Sequence, residues 1–297
     1  MKAAVAEKYG PPEVLQVKEV KDPVPGDQEI LIKVHSTAVD AADWRVRSAK
    51  PFAVRFFFGL LKPRRKILGA SFSGVVVATG KDVLSLKTGD AVFGSAGFRF
   101  GTYAEYVCLP ESASIVIKPA SLTHDEAAAI PFGGITALHY LRKAGIDRGS
   151  LNVLIIGASG SVGTHALQLA KHYGNTVTAV CSETNISLVR SLGADHTIDY
   201  HKTRFEQCDE KYDIVFDAVG KAKATACKSV LKPGGRFVSV NRGLARGGIE
   251  KLQFLQTLFS ENRLRPVIDR TYPLTHIVDA HRYVEKGHKK GHVIIQI

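Results

Sequence analysis

The sequence predicts an α/β protein in which a β-rich, barrel-like region precedes a doubly wound parallel sheet with helices on both faces. Three observations carry that reading. In Leu151–His172 (LNVLIIGASGSVGTHALQLAKH) an aliphatic run, a glycine-rich turn and apolar residues at helical spacing follow one another. That is the order of a buried strand, a tight turn and an amphipathic helix. From Leu151 to Val240 short strands and helices alternate, which implies parallel strands joined by crossover helices. The first 118 residues read instead as short strands separated by turns.

Taken in order, Gln28–Val39 alternates polar and apolar after a Pro-Val-Pro-Gly turn, and Asp43–Ser48 suits a helical turn. Pro51–Leu61 is an apolar loop holding Phe52, Phe56, Phe57 and Phe58. Contact with a membrane surface is one reading of it. The apolar wall of a substrate cleft is the better one, because the loop lies inside the strand series. Gly74–Ala78, Ala91–Phe93 after the turn Lys87–Asp90, Thr102–Leu109 and Ser114–Ile117 complete that series. The periodicity changes after Pro119. Thr123-His-Asp-Glu126 opens a helix as a capping box, and Gly134–Ala144 forms another. Beyond Leu151–Ile156 come a helix at Val162–Tyr173, a strand at Thr176–Cys181, a helix at Asn185–Leu192 and a strand at His196–Asp199. A strand at Asp213–Asp217, a helix at Lys223–Leu231 and a strand at Arg236–Val240 after the turn Lys232–Gly235 follow. The tail is a helix at Glu250–Phe259, an extended Arg265–Tyr272, a helix at Ile277–Lys286 and a strand at His292–Ile297.

Composition narrows the class. A chain of 297 residues fits about two domains and a large core. Its 45% hydrophobic and 23% charged residues are ordinary for a soluble globular protein. No apolar run approaches the ~20 residues of a membrane span, and the amino-terminal stretch lacks the apolar core of a signal peptide. Cys108, Cys181, Cys208 and Cys227 are scattered with no CxxC pair, which points to reduced thiols in a cytoplasmic setting. A net charge of +12, with clusters at Lys62–Lys66 and Lys286–Lys290, suits a solvated basic surface that attracts anionic cofactors. Nucleic-acid binding is disfavoured, since no stacking aromatics interleave with those charges.

The glycine turn carries the chemistry. A pyrophosphate needs unpaired backbone N–H groups at a helix N-terminus, with no side chains to hold it off. The spacing of Gly157, Gly160 and Gly163 is GxxGxxG, not GxGxxG, so Ala158 and Ser159 shape a different loop. The plainer alternative is that these glycines only allow close packing. A site selective for NADH would place an acid at the end of the second strand, where it holds the ribose hydroxyls. Here that strand ends in Cys181-Ser182, and Glu183 falls late. Ser182 and Asn185 can donate to a 2′-phosphate; no arginine is obviously placed to clamp it, and Arg204 is the candidate. NADPH is favoured over NADH.

The residues Gly10-Pro-Pro-Glu13-Val-Leu15, Val39-Asp-Ala-Ala-Asp43-Trp-Arg45, Leu68-Gly69-Ala-Ser-Phe-Ser-Gly74, Gly89-Asp90-Ala-Val-Phe-Gly94 and Gly101-Thr-Tyr103-Ala-Glu105-Tyr then form a recognisable set. With them go Pro131-Phe-Gly-Gly-Ile-Thr136, the glycine turn, Leu192-Gly-Ala-Asp195, Asp217-Ala-Val-Gly220 and Leu264–Leu274. Over nearly its whole length the chain resembles the zinc-independent, quinone oxidoreductase-like branch of the medium-chain dehydrogenase/reductase superfamily. The resemblance implies a GroES-like substrate domain at 1–118, a Rossmann dinucleotide-binding domain at 119–255 and a return to the first domain at 256–297. It implies a cleft active site and cytoplasmic reduction of quinones or α,β-unsaturated carbonyls by hydride transfer. An enoyl-type reductase of an acyl substrate, and a non-catalytic NADPH-binding module, are the alternatives.

Site residues follow from the same resemblance. Gly157, Ser159, Gly160, Ser161, Val162 and Gly163 would cradle the pyrophosphate, and Thr136 would sit near the nicotinamide ribose. Ser182, Asn185 and Tyr200 would meet the 2′-phosphate, Val219 and Gly220 the adenosine side, and Asn241 the carboxamide. Val219 could equally be strand-end packing, and Thr136 a helix cap. Catalytic zinc takes three N, S or O ligands plus an open position. Positions resembling those of the zinc-dependent relatives carry Asp40-Ala41, Ala70-Ser71 and Gly134-Ile135, so no zinc is expected. Asp43 matches a family Asp, and Asp40 stands where the family often has Asn. Either is a candidate proton relay, with solvent as the rival donor. His35, His124 and His139 read as surface or packing histidines, and Cys108 as inert. Ser71 replaces an Asp often found in the LGxDFxG segment. The Val240–Glu250 link is shorter than in many relatives, which leaves the family's homodimer an open expectation.

Overall fold

A computed structural model describes residues 1–245 and 247–297; position 246, inside the Val240–Glu250 link, lies outside the described residues. The strands are β1 (Lys2–Ala6), β2 (Leu15–Glu19), β3 (Glu29–Ala38), β4 (Ser71–Thr79), β5 (Ala91–Ser95), β6 (Tyr106–Pro110) and β7 (Ser114–Ile117). They continue as β8 (Asn152–Ile156), β9 (Thr176–Cys181), β10 (His196–Asp199), β11 (Tyr212–Asp217), β12 (Leu231–Ser239), β13 (Ile268–Pro273) and β14 (His292–Gln296). The chain forms two compact units, one from Met1–Phe132, Gly248–Ser260 and Ile268–Ile297, the other from Gly133–Gly247 and Glu261–Val267.

In the first unit β3 is the hub of a sheet ordered β13-β14-β3-β4-β5-β7, with β6 also on β3. Its length lets it pair with β6 over Glu29–Lys33 and with β14 over Ser36–Ala38 while β4 runs beside it. The alternating Ile30, Ile32 and Val34 enter one core with Phe72, Val76, Val92, Val107, Leu109 and Ile115. Each large side chain buried there contributes about 1.5–3 kcal/mol. Gly74 keeps the β3–β4 pair close, since a Cβ there would strike the Lys33 carbonyl. The predicted helical turn is the helix Ala41–Ser48, leaving β3 through Asp40. The predicted apolar loop contains a short helix, Val54–Phe58.

The second unit holds a sheet ordered β10-β9-β8-β11-β12 in which every neighbouring pair is parallel. Its central strand β8 buries Val153, Leu154 and Ile155 completely, as a strand covered by helices on both faces requires. The strand order reverses beside β8, and ligands of such sheets bind outside the carboxyl ends at that switch point. Three expectations are corrected. The helix after Ile130 starts at Pro131 rather than Gly134. Proline lacks the N–H that a first-turn residue leaves unpaired, so it suits that position; Thr136 therefore lies inside the helix and caps nothing. Lys232–Gly235 is not a free turn but part of β12, where the register slips between Tyr212–Leu231 and Ile214–Arg236 and Gly234 has φ +76°. The segment predicted as extended from Arg265 divides, because Gln168 holds the Arg265 backbone through both its N–H and its carbonyl and β13 begins only at Ile268.

Candidate functional site

Helix Ser161–His172 starts at Gly160, which has no side chain to cap it. The N–H groups of Ser161, Val162 and Gly163 have no carbonyl four residues back within the helix, while that of Gly160 is taken by the Gly157 carbonyl at 3.1 Å. Two of the three glycines let the turn pack tightly on itself and on its neighbour. A Cβ on Gly163 would lie 2.7 Å from the Ala158 Cα, and one on Gly157, at φ +77°, would collide with Val219. A Cβ on Gly160 would come no nearer than 3.6 Å to any atom, so nothing in the fold requires glycine there. Ser159 is buried beneath the loop, where its hydroxyl accepts from the Asn185 amide at 3.0 Å. The Asn185 Oδ1 is left buried with no donor among the described residues. Ser161 lies half-buried and Val162 buried in the first turn.

Beyond β9, Ser182 shares a 3.1 Å hydrogen bond with Thr184. Glu183 is engaged by the Lys202 ammonium at 2.6 Å. Tyr200 follows β10, 47% exposed, with its N–H on the Cys181 carbonyl and its ring 4.3 Å from that of His201. Arg204 is ion-paired with Glu206 at 2.8 Å. Beyond β11, Asp217 accepts from the N–H groups of Val219 (3.2 Å), Gly220 (2.8 Å) and Ala222 (3.2 Å), and from the Ser239 hydroxyl (3.0 Å). One carboxylate thus shapes the whole turn. Asn241, beyond β12, donates its amide to the Gly220 carbonyl, and Thr136 is half-buried in its helix.

The first unit buries an acid pair. Asp43 Oδ2 accepts from the Asp40 N–H at 2.8 Å and Oδ1 from the Gly69 N–H at 3.2 Å. Burial, and then the charge of Asp40, push the Asp43 carboxyl well above the usual range against those hydrogen bonds. Asp40 is as buried, and its Oδ2 accepts from the Ser71 hydroxyl at 2.6 Å. Its Oδ1 has no donor among the described residues. Burial raises Asp40 to about 6, opposed by the Ser71 bond and by Lys289. Lys289 in turn is lowered by burial to about 8. His35 stacks on His124 at 4.4 Å, and Ser73 bonds the His124 ring at 2.8 Å. Cys108 is half-buried, and burial pushes its thiol up to about 11.

Comparison with known proteins places this geometry. Residues 26–120 match the family model described as alcohol dehydrogenase GroES-like domain, and residues 161–271 match that described as zinc-binding dehydrogenase. The chain is 34% identical over 315 residues to 2-methylene-furan-3-one reductase of Solanum lycopersicum, covering 99% of this chain and 79% of that protein. It is 32% identical over 315 residues to the chloroplastic NADPH-dependent alkenal/one oxidoreductase of Arabidopsis thaliana, with the same coverage. The solved quinone oxidoreductase of Coxiella burnetii superposes with a TM-score of 0.92 at 33% identity, covering 100% of this chain and 99% of that one. The chain belongs to the quinone oxidoreductase-like branch of the medium-chain dehydrogenase/reductase superfamily.

Within that family the acid pair has an instructive departure. By the resemblance, position 40 is often Asn and position 71 often Asp; in this chain Asp40 and Ser71 stand there, and the two side chains are hydrogen-bonded to each other. Gly157, Ser182, Tyr200, Val219 with Gly220, and Asn241 all stand just beyond the carboxyl ends of the five strands of the parallel sheet. Two residues at this end of the sheet escaped the sequence reading. Lys202 owes its place to an ion pair across 19 positions, for which spacing offers no signal. Asp217 was visible only as one letter of Asp217-Ala-Val-Gly220, since the groups it gathers are backbone N–H.

Proposed function

We propose that the protein is an NADPH-dependent reductase of quinones or α,β-unsaturated carbonyls that works without zinc in the cytoplasm. Residues 119–255 hold the cofactor in this reading, and residues 1–118 with 256–297 receive the substrate. The observation that carries it is the set of groups beyond the five carboxyl ends of the parallel sheet, around an uncapped helix N-terminus. The donor set fits a phosphorylated dinucleotide: open N–H groups for the pyrophosphate, and Ser182 with a nearby ammonium for the further phosphate. Bound there, the nicotinamide supplies a hydride to an electron-poor carbon or a quinone carbonyl, and a proton completes the reduction.

The chain's own residues then have distinct tasks. Ser161, Val162 and Gly163 present N–H groups to the pyrophosphate, Gly160 adds no side chain beside them, and Asn185 holds the Ser159 hydroxyl. Ser182, Tyr200 and Lys202 receive the 2′-phosphate; the 2.6 Å ion pair to Lys202 offsets the negative charge of Glu183. Val219 and Gly220, set by Asp217, flank the adenosine, and Asn241 with Thr136 orients the nicotinamide end. Of the two acids Asp40 is the proton relay, because it has an uncommitted oxygen while both oxygens of Asp43 hold backbone N–H groups. Zinc independence is supported by the side chains at 40–41, 70–71 and 134–135, which offer one carboxylate and no thiol or imidazole.

Purified protein mixed with NADPH and a panel of quinones and enones should consume the nicotinamide absorbance. Ser182→Asp should weaken NADPH at least tenfold and NADH far less, by like-charge repulsion across a few ångströms. Tight NADPH binding with no turnover across the panel would make the protein a binding module instead. Equal weakening of the two nucleotides would remove the 2′-phosphate assignment.

A further inference from the structure

Residues 50–66 (KPFAVRFFFGLLKPRRK) carry six cations, Lys50, Arg55, Lys62, Arg64, Arg65 and Lys66, and no Asp or Glu. The same stretch turns its apolar side chains to solvent. Phe52 is 62% exposed, Phe56 66%, Phe57 77%, Leu60 56% and Leu61 87%. Apolar side chains exposed singly need no explanation, but five large ones within residues 52–61 are a cluster of the kind that marks an interaction surface.

The display is built. Phe58, half-buried, roots the helix Val54–Phe58 between Phe98 at 5.8 Å and Phe100 at 5.6 Å. The Tyr9 hydroxyl holds the Gly59 carbonyl at 2.7 Å, and the Arg64 N–H holds that of Phe58 at 2.7 Å. Arg55 lies over the rings of both Tyr9 and Phe52. Lys62, Arg64, Arg65 and Lys66 are exposed and in no ion pair among the described residues.

Charge selects the occupant. A second copy of this face would bring cations against cations. An anionic surface with an apolar interior satisfies both halves of the pattern, aromatic side chains entering the acyl boundary while Lys and Arg meet the phosphates. We propose that this face docks the protein onto an anionic phospholipid surface, with Phe56, Phe57 and Leu61 inserted and Lys62, Arg64, Arg65 and Lys66 on the headgroups. The contact is peripheral, since no helix among the described residues is long and apolar enough to cross a membrane. It takes the membrane reading of Pro51–Leu61 over the cleft wall that the sequence favours, because Phe52, Phe56, Phe57, Leu60 and Leu61 are exposed to solvent, and it does not rest on the substrate reading.

The test is flotation of the full-length protein with vesicles of phosphatidylcholine, alone or mixed with phosphatidylglycerol. The protein should float with the mixed vesicles, remain below with phosphatidylcholine alone, and be released by salt. Each cation near the surface is worth about fivefold in partitioning, so Arg64→Gln/Arg65→Gln/Lys66→Gln should weaken binding about a hundredfold. Phe56→Ser/Phe57→Ser should also lose the vesicles while keeping the wild-type melting curve, because both rings are exposed. No flotation with either vesicle overturns the proposal, as does equal flotation of the wild type and both variants. Wild-type vesicle binding by the Phe variant, with a raised KM for quinone or a lost oligonucleotide complex, assigns the face to those occupants instead.

Discussion

Asp40 and Asp43 stand three residues apart, and both are cut off from water, but only Asp43 has both oxygens committed to backbone N–H groups. Asp40 is raised by burial to about 6, above the ~3.9 of an unfolded chain. The folded state therefore keeps a proton that the unfolded state has already released. This contribution to stability is complete below about pH 4 and is lost as pH rises through about 6. Asp40→Asn keeps the shape and still accepts from Ser71, but cannot titrate. Denaturant unfolding at several pH values should show wild type losing stability relative to the variant across that window. Lys289, lowered to about 8, titrates outside it. Parallel profiles for the two proteins would mean that Asp40 does not titrate there. The hydrogen bond to Ser71 could not be read from the sequence, because its partners are 31 positions apart; only the departure at Ser71 hinted that its bonds had changed.

In the strand–turn–helix element, packing and binding demand different glycines. A Cβ on Gly163 presses on the Ala158 backbone at 2.7 Å, so Gly163→Ala should cost about 1–3 kcal/mol through overpacking and lower the melting temperature without cofactor. A Cβ on Gly160 meets nothing closer than 3.6 Å. Gly160→Ala should melt close to wild type yet bind NADPH at least tenfold more weakly, since its methyl stands at the helix N-terminus. Differential scanning calorimetry and NADPH titration separate the two effects, and wild-type NADPH affinity in Gly160→Ala would deny Gly160 a binding role. This element was legible because its determinants are local: the aliphatic run, the glycine spacing and the apolar helix face lie within two dozen residues. The capping box at Thr123 was legible for the same reason, and the structure shows both of its halves. The slip in β12 was not, because the register that absorbs Pro233 and Gly234 is set by β11. The start of the helix at Pro131 was missed because proline reads as a stop, although it suits a first turn.

At the scale of the whole molecule the threading matters, because the first unit is completed by its last strand. β14 lies between β13 and β3, parallel to one and antiparallel to the other. It buries Val293, Ile294 and Ile295 completely. Three such side chains contribute about 5–9 kcal/mol, most of the stability of a typical domain at about 5–15 kcal/mol. The terminal strand was legible as His292–Ile297, but its neighbours were not, since pairing with β3 spans most of the chain. The second unit closes its own sheet within Asn152–Ser239, and its outlying piece, Glu261–Val267, is held by Gln168. A chain ended after Glu285 should therefore lose the first unit and keep the second. Hydrogen exchange read by mass spectrometry should find β3 and β4 unprotected, while NADPH still slows exchange across residues 157–164. Loss of NADPH protection in the shortened chain, with β8 and β9 still slow to exchange, would show that the cradle cannot hold the cofactor without the first unit. The cofactor residues assigned here would then be incomplete.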